Sequence, residues 1–405
     1  MSPTKNKEHD FSMKLRQSSV IRGLRDYVEW RRGMAAGDGR TKVFTMAPVS
    51  INLDLTTACN FSCPHCVDSE ITNTGGVLDL AVVQQSLETL KAHGLLSVIL
   101  LGGGEPTLYR EFEEVVRYIK SIGLQLGIVT NGSRLSRVRE VAHVLKPHDW
   151  VRLSLDAASQ DTFEKLHRPR TPALLTDILE NAKALKSANP DVSLGYSFVI
   201  MWEGLTFKGN DLAPNLQEMA DAVCLAAKYG FDYISFKPCL IRVPEVRKET
   251  LLDSVDDARA RRIIEAVAGH LEAAKNAAGG RVKVLESVNL IAMLTHQVQA
   301  LKNQPKTCHM QVFNTVVTPM GIFHCPAFRG VDAAKIGEFD GYAGEEKFQR
   351  TATRLTESIL SFDASKECDR IACFYNHVNW WIEDFIRSDR RVEDIEEAQD
   401  DNFFF

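Results

Sequence analysis

The sequence lacks the features that mark exported, membrane-bound and nucleic-acid-binding proteins. Its first residues contain no continuous apolar segment of the kind found in a signal peptide. No stretch of the chain approaches the apolar length that a membrane-spanning helix needs. The net charge of −5 shows no basic excess, so general binding to nucleic acids is disfavoured. We therefore expect a cytoplasmic protein with no membrane partner, in a compartment where thiols stay reduced.

Internal repeats and low-complexity linkers are also missing, and what remains is the composition of a globular protein. The 405 residues are 44% hydrophobic and 25% charged, which is enough for two or three domains with buried cores. Nine cysteines are present. An odd number of cysteines in a reducing compartment indicates metal binding rather than a disulfide framework. Cys224 is an exception, because it lies among Ala, Val and Leu in a helical pattern and is expected to pack in the core.

Strands and helices alternate from Ser50 onward. Six apolar strand segments precede residue 240, and amphipathic helices separate several of them. One example is SVILLGGG, a short strand ending in glycines, which is followed by the helical pattern EFEEVVRYIKSIG. Repeated strand–helix units predict an α/β fold with a parallel sheet and helices outside it. Six strands are fewer than the eight of a full barrel.

The pattern of residues divides the chain into four predicted parts. Residues 1–45 are polar and basic and are read as an N-terminal extension, and residues 46–245 contain the strand–helix units. Residues 246–305 predict a mostly helical connecting segment. In residues 306–405, MQVFNTVVTPMGIFHC predicts a β-hairpin with a proline and a glycine at its turn. A small α+β domain is expected there, followed by an acidic tail that ends in three phenylalanines and is either solvated or packed on the body.

Three cysteines lie close together in TACNFSCPHC, directly after the first predicted strand. They are Cys59, Cys63 and Cys66. Zinc sites usually combine two close cysteines with a second pair far away, whereas three thiolates from one loop fit a [4Fe–4S] cube in which each cysteine binds one iron. The fourth iron of such a cube has no protein ligand and can bind a small molecule. This loop is therefore expected to be a site of chemistry.

The spacing Cys59-x3-Cys63-x2-Cys66 after a first strand resembles the signature of the radical S-adenosylmethionine (SAM) superfamily. Three further segments resemble motifs of that superfamily, in the expected order at the ends of later strands: GGGEP, TNG and SLDA. The resemblance covers roughly residues 48–240. It implies a partial (β/α)6 TIM-like barrel of the radical SAM type, with a [4Fe–4S] cluster and SAM as cofactors.

The resemblance also assigns roles to residues around SAM. His65 stands where the superfamily usually places an aromatic side chain near the adenine, and the glycine-rich motif meets the methionine amino group. Arg168 is similar to an arginine that faces the methionine carboxylate in many relatives, although it could also be a surface charge. The full set of implied cofactor-binding residues is His65, Gly102, Gly103, Gly104, Glu105, Asn131, Ser154, Asp156 and Arg168.

The chemistry that the resemblance implies is the reductive cleavage of SAM. The open iron binds the methionine part, an electron cleaves the sulfonium to give a 5′-deoxyadenosyl radical, and that radical takes a hydrogen atom from an unactivated C–H bond. The electron is expected to come from a small carrier of the flavodoxin or ferredoxin type.

A second group of cysteines flanks and follows the predicted hairpin. It consists of Cys308, Cys325, Cys368 and Cys373. The group resembles the C-terminal twitch domain, a shortened relative of the SPASM domain, which holds one auxiliary [4Fe–4S] cluster. The last pair is separated by four residues rather than the expected two, and zinc is the alternative metal for four thiolates. His309 and His324 adjoin two of these cysteines and could replace one as a ligand.

An auxiliary cluster held by four thiolates has no free iron for substrate and is better suited to accept an electron. In related twitch enzymes, such a cluster supports oxidation of a secondary alcohol on a sugar or cyclitol to a ketone. Cys239, after the sixth strand, could return a hydrogen atom as in radical epimerases, or be a buried structural thiol. Lys237 could contact the substrate or act as the base of an alcohol oxidation.

Together these features predict a radical SAM oxidoreductase or epimerase that acts on a carbohydrate-like small molecule in a biosynthetic pathway. The first alternative is a maturase that modifies a ribosomally made peptide, although residues 1–45 look too short for the leader-binding domain that such enzymes often carry. The second alternative is a non-catalytic iron–sulfur or zinc-binding module, which would not cleave SAM.

Overall fold

The computed structural model describes residues 10–36, 43–243, 248–252 and 255–405. The strands lie within these residues. They are β1 (Ser50–Asp54), β2 (Ser97–Leu101), β3 (Gln125–Thr130), β4 (Trp150–Ser154), β5 (Ser193–Ile200), β6 (Thr206–Phe207), β7 (Asn210–Asp211), β8 (Tyr233–Pro238), β9 (Ile241–Val243), β10 (Lys248–Thr250), β11 (Lys283–Glu286), β12 (Asn314–Thr318), β13 (Gly321–Phe323) and β14 (Lys335–Gly337).

The helices of the same residues surround and connect these strands. They are α1 (Phe11–Leu15), α2 (Ser18–Ala35), α3 (Leu80–Ala92), α4 (Phe112–Ser121), α5 (Leu135–Glu140), α6 (Gln160–His167), α7 (Leu175–Ala188), α8 (Met219–Lys228), α9 (Asp257–Ala278), α10 (Val288–Leu294), α11 (Val298–Lys302), α12 (Glu345–Ser361), α13 (Ala364–Glu367) and α14 (Asn376–Arg387). None of these described helices has the length and apolar character of a membrane span.

One sheet forms the centre of the molecule, in the order β11-β8-β5-β4-β3-β2-β1-β12-β13-β14. Neighbouring strands from β11 to β12 run parallel, whereas β13 and β14 are antiparallel to their neighbours. The six strands expected from the sequence are β1, β2, β3, β4, β5 and β8, and they are adjacent in the sheet. The expected α/β fold of the partial-barrel type is therefore confirmed.

Four strands extend this sheet beyond the expected six: β11 at one edge, and β12, β13 and β14 at the other. β11 comes from the segment predicted to be mostly helical and pairs in parallel with β8. β12, the first strand of the predicted hairpin, pairs in parallel with β1 as well as antiparallel with β13. The hairpin is thus confirmed, and its first strand continues the sheet of the barrel. The boundaries of the four predicted parts of the chain remain a prediction.

The two faces of the sheet differ in character. Val151 and Leu153 of β4 are fully buried in the hydrophobic core. Because side chains alternate along a strand, Trp150, Arg152 and Ser154 point to the opposite side, which we call the inner face. Residues paired in register with these three also lie on the inner face, and several of them are polar or lack a side chain.

The C-terminal tail packs against the inner face at the amino ends of the strands. Ser97 Oγ donates a hydrogen bond to the carbonyl of Phe403 (2.7 Å), and the backbone N–H of Phe403 donates to Gln125 Oε1 (3.1 Å). The ring of Phe404 meets that of Trp150 edge-on, with centroids 5.4 Å apart. The tail is therefore packed on the body, because burial of its phenylalanines removes large apolar surfaces from water.

The N-terminal helices pack on the C-terminal part of the chain. Leu24, Tyr27 and Val28 of α2 are buried. The guanidinium of Arg32 donates hydrogen bonds to the carbonyls of Phe385 (2.7 Å) and Ser388 (2.9 Å) at the end of α14, where helix carbonyls lack partners. The predicted N-terminal extension is thus helical and attached to the body over its described residues.

Replacing Phe404 with alanine tests whether the tail stabilises the fold. Phe404 is 5% exposed, so the substitution should lower the free energy of unfolding by about 3 kcal/mol. The matched control is Phe339→Ala, because Phe339 is 43% exposed. Anaerobic urea denaturation would measure both variants. Equal stability of the two variants would show that the tail contributes little to the fold.

Candidate active site

The first cysteine cluster occupies the loop after β1, at the carboxyl edge of the sheet. Cys59, Cys63 and Cys66 are all partly buried. Burial raises the pKa of each thiol, to about 11 for Cys66, and the two neighbouring cysteines raise the pKa of Cys63 further. Three buried thiols that disfavour one another's ionisation need a cationic partner to become thiolates. Binding to metal supplies that partner, so this donor set fits a metal cluster.

The spacing of these thiols distinguishes between kinds of metal site. Within the described residues, no group of three His, Cys, Asp or Glu side chains converges as it would around a single metal ion. The cysteines of a [4Fe–4S] cube bind different irons and therefore stand farther apart than the ligands of one zinc ion. Three thiols from one loop are a donor set that fits such a cube, and Cys59, Cys63 and Cys66 are the residues that would hold it.

A histidine pair and an aspartate line one side of the cysteine loop. His167 Nδ1 lies 3.3 Å from Cys63 Sγ, and its Nε2 lies 2.8 Å from the carbonyl of Leu155. Asp156 Oδ2 lies 3.3 Å from His65 Nε2 and 3.6 Å from His167 Nε2. Burial alone would raise the pKa of Asp156, but the hydrogen bond from His65 and the two histidines outweigh burial and lower it. His65, assigned to adenine by resemblance, is thus held by Asp156.

The glycine-rich motif lies directly beneath the cysteine loop. A Cβ atom on Gly104 would overlap the carbonyl oxygen of Ala58 and lie 2.6 Å from that of Thr56. The backbone N–H of Gly103 donates to Asp54 Oδ2 (3.2 Å), and the N–H of Glu105 donates to the carbonyl of Ala58 (2.8 Å). Only glycine at position 104 allows this approach, so the motif positions the loop by contact between backbones.

The carboxylate of Glu105 joins the ends of β2 and β3. It accepts hydrogen bonds from the N–H and hydroxyl of Thr107 (3.1 and 2.5 Å), the hydroxyl of Thr130 (2.7 Å) and the N–H of Asn131 (2.7 Å). Glu105 is 3% exposed, and burial raises its pKa although these bonds oppose the shift. These contacts orient the strand ends around the loop, and the assigned contact with the SAM amino group stays a prediction.

The other residues assigned to SAM differ in how they meet the loop. Asn131 Nδ2 donates a hydrogen bond to Oδ1 of Asn60 (2.9 Å). Asn60 lies between Cys59 and Cys63 in the sequence. Ser154 is half-buried on the inner face at the end of β4. The side chain of Arg168 is exposed. Its backbone has a φ of 43° and caps the C-terminal end of α6. Its carbonyl accepts a hydrogen bond from the N–H of Ser62 (3.2 Å). For Arg168, the described contacts with the loop are made by its backbone.

A second candidate site is a cavity beside the hairpin. Four cysteines line it together: Cys308, Cys325, Cys368 and Cys373. Burial raises the pKa of Cys373 to about 12, and Cys308 contributes to the same shift. Cys308 and Cys373 both add to the raised pKa of Cys325. The structure therefore brings the four late cysteines to one cavity, whose thiols again need a cationic partner to ionise.

The two histidines next to these cysteines have different surroundings. His309 Nε2 lies 2.9 Å from Glu383 Oε2 and its Nδ1 lies 2.8 Å from the Tyr27 hydroxyl, so both nitrogens are engaged. His324 lines the cavity and is 2% exposed, and neither of its ring nitrogens has a hydrogen-bond partner. Burial lowers the pKa of His324 to about 4, so its ring is neutral and carries one N–H donor.

Arg329 connects the two sites, and sequence reasoning missed it. Its Nε lies 2.7 Å from Asp54 Oδ2 at the end of β1, and its Nη1 lies 2.8 Å from Asp68 Oδ2, just after the cysteine loop. Arg329 itself follows Cys325 by four residues. All three side chains are buried. No local pattern could have revealed this contact, because Arg329 is more than 250 residues away in sequence from each of the two aspartates.

The two candidate catalytic residues, Lys237 and Cys239, lie at the end of β8. Cys239 is 2% exposed, and burial raises the pKa of its thiol to about 12. Lys237 is half-buried on the inner face, where burial and then the charge of Arg152 lower its pKa to about 7.

Cys224 was expected in the core, and that prediction was wrong. It is exposed, because α8 turns Ala222, Val223 and Ala226 inward instead.

Comparison with known families identifies the first site. Residues 53–209 match the family model described as the radical SAM superfamily. These residues form a radical SAM domain. The cofactors of the family are a [4Fe–4S] cluster and SAM, in agreement with the donor set of the cysteine loop.

Curated relatives match a little under half of the chain. The mycofactocin maturase MftC of Mycobacterium ulcerans is 31% identical over 45% of this chain and 46% of its own length. An S-adenosylmethionine-dependent nucleotide dehydratase of Selenomonas ruminantium is 29% identical over 40% of this chain and 61% of its own length. The PqqA peptide cyclase of Methylobacterium nodulans is 28% identical over 47% of this chain and 49% of its own length. The chain thus matches about half of the length of these relatives.

Solved structures resemble the chain over more of its length. Streptococcus suis SuiB bound to its precursor peptide SuiA has a TM-score of 0.58 and 15% identity, covering 91% of this chain and 78% of that chain. At this identity the likeness shows the fold, which extends beyond the radical SAM domain.

Substituting Gly104 tests the contact between the glycine motif and the cysteine loop. Gly104→Ala should displace the loop, because the added methyl overlaps two backbone carbonyls. We expect the anaerobically reconstituted variant to lose most of the iron held by the first cluster, measured as iron and sulfide per chain. The control is Gly269→Ala in α9, where a methyl would meet nothing within 4 Å. Full iron content in Gly104→Ala would contradict this role of the glycine.

Proposed function

We propose that this protein is a radical SAM oxidoreductase in which a second, auxiliary [4Fe–4S] cluster accepts an electron from the substrate. The observation that carries the proposal is the cavity lined by four cysteines next to the radical SAM domain. Its four donors leave no cluster iron open for substrate, which suits electron transfer better than substrate binding. Cys308, Cys325, Cys368 and Cys373 would hold this cluster.

Cys59, Cys63 and Cys66 would hold a [4Fe–4S] cluster beside SAM, and these cofactors would supply the radical chemistry that removes a hydrogen atom from a C–H bond of the substrate. The chain supplies position and protection. Gly104 and Glu105 hold the cysteine loop and strand ends, and Asp156 orients His65 and His167 beside it. After loss of the hydrogen atom, the substrate would lose a proton and one further electron, and the auxiliary cluster held by the four late cysteines would supply the acceptor for that electron.

The substrate class we favour is a peptide. Support comes from the PqqA peptide cyclase, 28% identical over 47% of this chain, and from the fold shared with SuiB. A carbohydrate-like small molecule, oxidised at an alcohol carbon, is the competing substrate of the same chemistry. Anaerobic incubation with SAM, dithionite and panels of both classes would separate them. We expect a peptide product that lacks two hydrogens, and exclusive oxidation of sugars would overturn the peptide assignment.

A second candidate function is epimerisation, which one observation favours. An epimerase must return a hydrogen atom from a thiol, so the protonated form of the cysteine is the competent one. The raised pKa of Cys239, about 12, keeps this thiol protonated at neutral pH. Its position directly after β8 places it at the carboxyl end of the sheet, the edge that carries the cysteine loop.

Cys325→Ser tests the auxiliary cluster. The reconstituted wild-type protein should contain about eight irons per chain, and the variant about four, because only the first cluster remains. Cys224→Ser is the matched control, since Cys224 is exposed and outside both sites. Mössbauer and iron analysis would measure both. Zinc in the cavity of the wild type, or unchanged iron in Cys325→Ser, would contradict the proposal.

His324→Phe tests the surroundings of that cluster. His324 lines the cavity and its ring nitrogens have no hydrogen-bond partner, so its single N–H would be available to a cluster held there, and hydrogen bonds to a cluster raise its reduction potential. We expect the auxiliary midpoint potential to become more negative in the variant while the iron content is retained. Loss of about four irons would instead make His324 a ligand.

Cys239→Ala tests the epimerase candidate. With peptides and sugars in deuterated water, an epimerase should incorporate solvent deuterium at an inverted carbon, and the alanine variant should not. Product chirality and deuterium content, measured by mass spectrometry, decide the matter. Inversion that persists in Cys239→Ala would exclude this thiol as the hydrogen donor.

A further inference from the structure

Three serines lie side by side on the inner face of the sheet. Ser154 of β4 is paired in register with Ser197 of β5, and Ser197 is paired with Ser235 of β8. Ser197 and Ser235 are 3% and 2% exposed, and Ser154 is half-buried. In the part of the chain that the structure describes, none of the three hydroxyls forms a hydrogen bond. Three donors therefore face one space without a protein partner.

A cation stands at each end of this row. Arg152 precedes Ser154 by two residues and Lys237 follows Ser235 by two, so both side chains are on the inner face. The guanidinium of Arg152 lies over the ring of Trp150, 5.2 Å from its centroid, and its Nε is buried without a partner. Among the described residues, neither Arg152 nor Lys237 forms an ion pair.

Asp156 acts on the charge of Lys237, but among the described residues its side-chain ion-pair contacts are with His65 and His167. Asp156 is held by His65 (3.3 Å) and by the backbone N–H of Val199, which donates to its Oδ1 (2.7 Å). Burial and then the charge of Arg152 lower the pKa of Lys237, and Asp156 opposes this shift without cancelling it. A bound anion would relieve both effects.

We propose that Arg152, Ser197, Ser235 and Lys237 form a subsite that binds an oxyanion of the substrate, a carboxylate or a phosphate. An oxyanion accepts hydrogen bonds only, and this subsite offers hydroxyl, guanidinium and ammonium donors. The ring of Tyr233 packs over Gly195, the register partner of Arg152. The inference rests on the proposed function insofar as the bound group belongs to the substrate of the radical SAM domain.

The experiment is calorimetric titration of anaerobically reconstituted, SAM-loaded protein with inorganic phosphate and, separately, acetate. We expect Arg152→Met and Lys237→Met each to weaken anion binding at least about tenfold, since a charge-assisted hydrogen bond contributes about 1.5–3 kcal/mol. Lys237→Arg keeps the charge and should restore most of the affinity. The matched control is Lys183→Met on the exposed side of α7, which should bind as the wild type does.

The two probes distinguish the sources of the anion. Tighter phosphate binding indicates a phosphorylated substrate, and tighter acetate binding indicates a carboxylate such as an acidic peptide side chain. The proposal is overturned if the wild type binds neither probe, or if Lys237→Met binds both as the control does. It is also overturned if Lys237→Met loses affinity for SAM alone, because the cations would then serve the cofactor. A wild type that binds phosphate but never cleaves SAM removes the proposed function and leaves the subsite standing.

Discussion

The close approach between the end of β2 and the cysteine loop is the contact on which the rest of the structure depends. The carbonyls of Thr56 and Ala58 occupy the space that any side chain at position 104 would need. This approach lets the N–H of Glu105 bond to Ala58 and lets its carboxylate reach the end of β3. One glycine therefore determines how the loop, two strand ends and the polar residues between them fit together.

The second site is fixed to the first by buried charge as well as by backbone pairing. Arg329 binds Asp54 at the end of β1 and Asp68 after the loop. Cys325, which lines the four-cysteine cavity, precedes Arg329 by only four residues. Removing one member would leave a buried charge unpaired, which is far more costly than never having the pair. The parallel pairing of β12 with β1 holds the same two regions together through the sheet. An electron acceptor in the cavity would thus keep a constant position relative to the cysteine loop.

Local patterns in the sequence predicted the features that depend on neighbouring residues. The six central strands are short apolar runs bounded by turns, and the three-cysteine loop and hairpin have recognisable spacing. β11 escaped prediction because KVLE is short and half-exposed and lies between helices. His167 beside Cys63, and the partners of Arg329, depend on contacts between distant parts of the chain. Cys224 was misplaced because every residue near it is apolar, so composition could not show which side of α8 faces out.

The central claim is that Cys59, Cys63 and Cys66 hold a cube with one iron open to SAM. The most direct measurement is the formation of 5′-deoxyadenosine from SAM and dithionite under anaerobic conditions, compared between the wild type and Cys63→Ala. Our account predicts steady formation by the wild type and none by the variant, with a perturbed cluster signal when SAM binds. A wild type that carries zinc in this loop, or a variant that still cleaves SAM, would contradict it.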